Sequence, residues 1–207
     1  MSTEVYVRNL IFQSNNLGKE SDLLLTFDGP MPGDHYPVVW RVSTFGKDGA
    51  YQMRATYRSQ HAFTKPLVEG GIIVDAAAAV DINGARQQTT LTKADNRFKF
   101  STPVEGTAAV INDAGEAVGL TLGFNAAGKS LPTPMLYFGD VRNGSKVTPQ
   151  FYPRLRAYVT SGYREAEILR GEIAAPTLWD QNLAALDETT TWNLTWDTTG
   201  RYRITPA

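Results

Sequence analysis

Residues 118–139 read VGLTLGFNAAGKSLPTPMLYFG, and the reading of this stretch separates an α/β nucleotide-binding fold from an all-β one. Its centre, residues 123–130, is GFNAAGKS, a letter-for-letter match to the phosphate-binding loop G-x-x-x-x-G-K-[ST]. Such a loop works between a strand and a helix. Backbone N–H groups and the positive end of the helix dipole then face the phosphates. The upstream half of that context is present: Val118, Leu120, Leu122 and Phe124 alternate with Gly119, Thr121 and Gly123, which is a strand pattern. The downstream half is not. Ser130 is followed by Leu131-Pro132-Thr133-Pro134. A first helical turn accommodates one proline, but the second drives Thr133 towards extended geometry. Met135-Leu136-Tyr137-Phe138-Gly139 then reads as another strand. A phosphate site also needs a carboxylate at the end of an apolar strand. The one sequence offering it, residues 72–75 ending at Asp75, lies upstream and runs into four alanines. The stretch therefore predicts strand, polar turn, proline-rich connection, strand.

The same period of two recurs outward from this stretch. Leu23, Leu25 and Phe27 form one set, and Val38, Trp40 and Val42 another. Further sets are Met53, Ala55 and Tyr57, the even positions from Ile72 to Ile82, Leu155, Ala157 and Val159, and Trp192, Leu194 and Trp196. Alternation of this kind marks half-buried antiparallel strands. Asp28-Gly29-Pro30, Asp48-Gly49, Asn83-Gly84, Asn143-Gly144 and Thr199-Gly200 punctuate them as turns. The expected fold is all-β: an antiparallel β-sandwich, or a barrel-like closure, in a single domain spanning residues 1–207. One short C-terminal helix is expected over residues 176–186. There Thr177 is placed to cap, and Trp179, Leu183 and Leu186 fall at i, i+4 and i+7. Residues 163–173 suit a helix or an extended strand equally.

Composition narrows function. The chain has 207 residues, 20 basic and 21 acidic, and no like-charged run. This near-neutral balance argues against broad electrostatic binding to nucleic acid or an anionic membrane. Cysteine is absent, which removes disulfides, thiolate catalysis and cysteine metal sites together. The start lacks a leader-like pattern, and a cytoplasmic protein is expected. No G-x-S-x-G elbow supports a hydrolase. The two histidines, His35 and His61, lie far apart in sequence. Asp28, Asp34 and His35 can meet around a cation, yet a polar loop with side-chain turns accounts for them more simply, and no metal site is expected.

Aromatic residues make up 11% of the chain and often neighbour polar groups. That combination lines small-molecule pockets, although aromatics also fill β-sandwich cores. The expected pocket-lining residues are Trp40, Tyr57, His61, Phe63, Tyr137 and Tyr158, with His61 supplying a hydrogen bond. No catalytic residue is assigned.

Three segments, residues 59–66 (SQHAFTKP), 156–163 (RAYVTSGY) and 178–183 (LWDQNL), resemble segments of uncharacterised cytosolic proteins of mushroom fruiting bodies. That group includes lectins, pore-forming proteins and pigment-carrying chromoproteins. Similarity to the pink chromoproteins of oyster mushrooms implies a bound aromatic chromophore of the indolone type and a homodimer; none of the three segments is a functional motif. The expected function is non-enzymatic binding of a small aromatic or pigment-type molecule. A carbohydrate-binding lectin is the alternative, and a nucleotide-binding enzyme acting through residues 123–130 is the second alternative.

Overall fold

A computed structural model describes residues 5–27, 35–82, 87–149 and 151–207. In chain order the strands are β1 (Val7–Asn15), β2 (Ser21–Phe27), β3 (His35–Pro37), β4 (Val39–Phe45), β5 (Ala50–Arg58), β6 (His61–Glu69), β7 (Ile72–Ile82), β8 (Gln87–Ala94) and β9 (Arg97–Phe100). They continue as β10 (Val104–Glu105), β11 (Ala109–Asp113), β12 (Val118–Phe124), β13 (Thr133–Val141), β14 (Lys146–Val147), β15 (Arg154–Val159), β16 (Trp179–Asn182), β17 (Thr189–Trp196) and β18 (Tyr202–Pro206).

Four sheets result, ordered β18-β17-β1-β5, β16-β15-β2-β4, β3-β13-β12-β6-β7 and β10-β8-β11-β14, with β9 paired to β8. None closes on itself, so the all-β expectation resolves as a layered, sandwich-like arrangement of open sheets rather than a barrel. Most pairings are antiparallel. Two are parallel, β1 with β17 and β11 with β8. Local hairpin patterns cannot announce these, because the partners lie far apart in sequence. No helix among the described residues is long and apolar enough to cross a membrane.

Residues 118–139 form the strand–turn–strand unit that their prolines demand. β12 and β13 pair antiparallel from Val118↔Val141 to Phe124↔Thr133, and the octapeptide bridges them. Gly123 lies inside β12. A Cβ there would sit 2.5 Å from the Thr133 carbonyl oxygen. The first glycine of the motif is thus required by close approach of two backbones. The turns at Gly49, Gly144 and Gly200 adopt positive φ as expected. Those at Asp28-Gly29-Pro30 and Asn83-Gly84 fall outside the described residues, as do Asp28 and Asp34 of the considered cation loop.

The expected C-terminal helix does not form. Trp179–Asn182 is β16, paired antiparallel with β15 from Ala157↔Trp179 to Arg154↔Asn182. A single 3-10 turn, Leu183–Ala185, follows, and the Asn182 side chain accepts from the Ala184 N–H. Pairing with β15 gives these residues a backbone ladder and lets Asp180 bind Arg154 (2.6 Å) and Arg156 (3.2 Å) across the strands. An isolated helix of this length is marginal in water, so the ladder prevails. Trp179 and Leu183 are buried all the same.

One contiguous apolar core draws residues from all four sheets, including Phe12, Phe27, Met53, Phe63, Leu91, Val110, Leu122 and Leu194. Two satellite clusters lie outside it. One joins Leu24, Val39, Tyr158 and Leu169; the other joins Val38, Tyr137 and Ile168. Residues 164–169 make both. They run past β4 and the β6–β7 tip in irregular backbone, held by Val39 N–H to Glu167 O (2.9 Å), Ile73 N–H to Ala166 O (3.0 Å) and the Val38↔Ile168 bridge. This ambiguous stretch is neither a helix nor a full strand.

Candidate functional site

The six expected pocket residues divide into three groups. Trp40, Tyr57, His61 and Phe63 belong to the central core or its margin. Their hub is Phe27, which sequence reasoning did not select. Its ring centroid lies 5.1 Å from Trp40, 5.5 Å from Tyr57, 6.1 Å from Phe124 and 5.8 Å from Phe151. Tilted and edge-on ring contacts at these distances are ordinary aromatic packing. Tyr57 and Phe63 are fully buried and Trp40 nearly so. The Tyr57 hydroxyl meets His61 Nε2 at 2.9 Å. It also interacts with the Tyr6 hydroxyl. Burial pushes the Tyr57 hydroxyl far above the ordinary phenol range and lowers the His61 imidazole to about 4, so both are neutral at pH 7. Tyr57 has one proton to share between two partners. When it goes to Tyr6, His61 must carry its own on Nε2.

Tyr137 and Tyr158 stand elsewhere, and each lines a cleft. Trp40, Tyr57 and Phe63 are buried, and His61 lies against the rings of Tyr57 and Phe151. The core aromatics are therefore packed against one another, whereas the two tyrosines of the satellite clusters reach open space.

The cleft at Tyr137 measures about 630 Å³. β3 and β13 build its aromatic wall from His35, Tyr36, Tyr137 and Phe138, with the pairs Tyr137↔Tyr36 and Phe138↔His35. Tyr137 pairs with Thr121, and its ring takes its position because Gly119, two residues earlier in β12, leaves room for it. A Cβ on Gly119 would lie 2.5 Å from the tyrosine hydroxyl oxygen and 2.9 Å from the ring. Burial raises the Tyr137 pKa against the opposing field of Arg170, so the hydroxyl stays protonated. Arg142, Lys146 and Arg170 supply three cations around this wall, against the single carboxylate of Asp140. Lys146 Nζ donates to Gln88 Oε1 at 2.8 Å, and the Arg170 guanidinium lies 5.3 Å from the Tyr36 ring centroid.

The cleft at Tyr158 measures about 540 Å³ and is floored by Thr26, Tyr158 and Leu169. Arg170 lines this cleft too, and Tyr36 and Pro37, adjacent in β3, face one cleft each. The two expected tyrosines thus flank a shared arginine. Sequence reasoning did not select Arg170, because its stretch suits a helix and an extended strand alike and so assigns it no face.

The octapeptide has no cradle. Lys129 is exposed on the β12–β13 turn, and the structure brings it and Asp75 to the rim of one small cleft of about 160 Å³. No helix starts at the Lys129-Ser130 pair, so the N–H array and dipole that hold phosphates are missing there.

An all-β sandwich-like protein with aromatic, arginine-bearing surface clefts is the class these features define. No family model, no curated protein and no solved structure matches the chain.

Proposed function

We propose that this protein binds, without turnover, a small flat conjugated molecule that carries an acidic group, as a chromoprotein-like carrier. The site is the Tyr36–Tyr137 cleft, with Arg170 as the cationic anchor for the acidic group. The observation that carries this reading is the meeting of neighbouring aromatic side chains with three cations in a cleft of about 630 Å³. That volume lies within the range of small-molecule sites, and a few polar groups on an aromatic wall fix a ligand's orientation. A planar ring stacks on Tyr137 or Tyr36. Its acidic group pairs with Arg170, which the Tyr36 ring already supports through a cation–π contact. The excess of cations over carboxylates favours an acidic over a neutral or basic ligand.

The test uses natively purified protein and a defined probe, anilinonaphthalene sulfonate. Native mass spectrometry and visible absorption report any retained molecule together with subunit number. Probe fluorescence is expected to rise on binding, and Tyr137→Ala and Arg170→Ala are each expected to weaken binding about tenfold or more. Absence of retained mass, together with variants that bind the probe as well as the parent, removes the proposal.

A further inference from the structure

A second constellation lies where the β17–β18 hairpin meets the ends of β2 and β15. Trp196, the last residue of β17, pairs with Tyr202, the first of β18, and their rings are 4.4 Å apart at 59°. Trp192, four residues earlier, is buried against Trp179 at 5.1 Å, whereas Trp196 keeps 36% of its surface exposed. Tyr202 lines a cleft of about 350 Å³ with Lys19, Glu20, Asp22, Thr160 and Ser161. The cleft shares no residue with the one at Tyr137.

Its walls are held in place. The Ser21 and Tyr202 hydroxyls share a hydrogen bond, which pins the tyrosine ring. Asp22 Oδ1 accepts from Thr44 Oγ1 at 2.6 Å, and the Asp22 carbonyl accepts from the Thr160 N–H at 3.1 Å. A carboxylate fixed at one oxygen presents the other in a set direction.

We propose that this cleft is a subsite for a neutral carbohydrate. Sugar rings offer an apolar C–H face to an aromatic side chain and a fan of hydroxyls to acceptors at its edge. Tyr202, backed by the Trp196 ring, provides the first. Asp22 and Glu20 provide charge-assisted acceptors, and Thr160 and Ser161 provide hydroxyls that both donate and accept. Charge decides against other ligands. Two carboxylates against one ammonium disfavour phosphates and sulfates. Lys19 Nζ already lies 5.3 Å from the Trp196 ring centroid, the place a quaternary ammonium ligand would need.

Binding of the whole chain to an array of immobilised mono- and oligosaccharides, followed by tryptophan-fluorescence titration with the best free sugar and with choline, tests this. At least one neutral sugar is expected to bind, with a dissociation constant on the order of 1 mM as suits an open site. Tyr202→Ala and Glu20→Gln are each expected to weaken it about tenfold. Ser161→Trp, which fills the cleft from an exposed position, abolishes it, while Tyr137→Ala leaves it unchanged. Thermal midpoints of the variants check folding. A blank array, tighter binding of choline than of any sugar, or full binding by folded Ser161→Trp protein overturns the proposal. None of these outcomes bears on the Tyr137 cleft, which Arg170→Ala probes separately.

Discussion

Tyr57 and His61 face each other across the β5–β6 turn, hydroxyl to Nε2 at 2.9 Å, in a pocket of aromatic rings that excludes a charged imidazole. Burial lowers the His61 pKa from 6.5 to about 4. In the unfolded chain the same histidine takes up a proton near 6.5. Between these values the unfolded state binds more protons, so stability rises with pH. The contribution is full above about pH 6.5 and is lost as pH falls towards 4. Denaturant unfolding is expected to show a decline of up to roughly 3 kcal/mol over that window. The decline should be largely absent in His61→Gln.

Phe27 touches four aromatic rings at the centre of the core. Phe27→Ala is expected to cost about 3–5 kcal/mol, since Trp40, Tyr57 and Phe124 belong to three different sheets and cannot all collapse into the space. Urea denaturation measures this loss.

Gly123 and Lys129, both letters of the octapeptide, should respond in opposite ways. Gly123→Ala forces a methyl against the Thr133 carbonyl and is expected to destabilise by about 1–3 kcal/mol. Lys129→Ala, at an exposed turn, should change stability by less than about 0.5 kcal/mol. Calorimetric titration with magnesium ATP is expected to give no heat of binding in either the parent or the lysine variant.

Gly119 is the floor on which Tyr137 rests. Gly119→Ala should displace the tyrosine ring from the cleft wall and weaken probe binding along with stability. Gly119→Ala combined with Tyr137→Ala is expected to recover stability relative to Gly119→Ala alone, without recovering binding. A thermal-shift and titration pair on the single and double variants reads this coupling.

Strands with one wet face were legible in the sequence. Met53, Ala55 and Tyr57 of β5, and Trp192 and Leu194 of β17, alternate as buried positions. β2 is different: Leu23, Leu24, Leu25, Thr26 and Phe27 are all buried, because the stretch around Leu169 covers the face turned away from the core. That covering segment has no period of its own and could not be assigned. The helix expected at Trp179 failed for a related reason. Its i, i+4, i+7 spacing is real, but the tertiary ladder with β15 outcompetes local propensity. Aromatic abundance supplied the candidate residues for a site. It did not separate Trp40 and Phe63, which fill the core, from Tyr137 and Tyr158, which reach clefts. The distinction rests on which sheet face another segment covers.

The parallel ladder from Asn9↔Thr189 to Gln13↔Asn193 joins residues 180 positions apart. An emerging chain therefore makes β1 long before its neighbour exists. Until β17 has been made, β1 has β5 on one side and an unpaired edge on the other. Completion of this sheet must wait for β17 and is slow, as long-range strand pairing is. Truncation ahead of β17 should yield nascent protein that depends on chaperones rather than a smaller stable fragment.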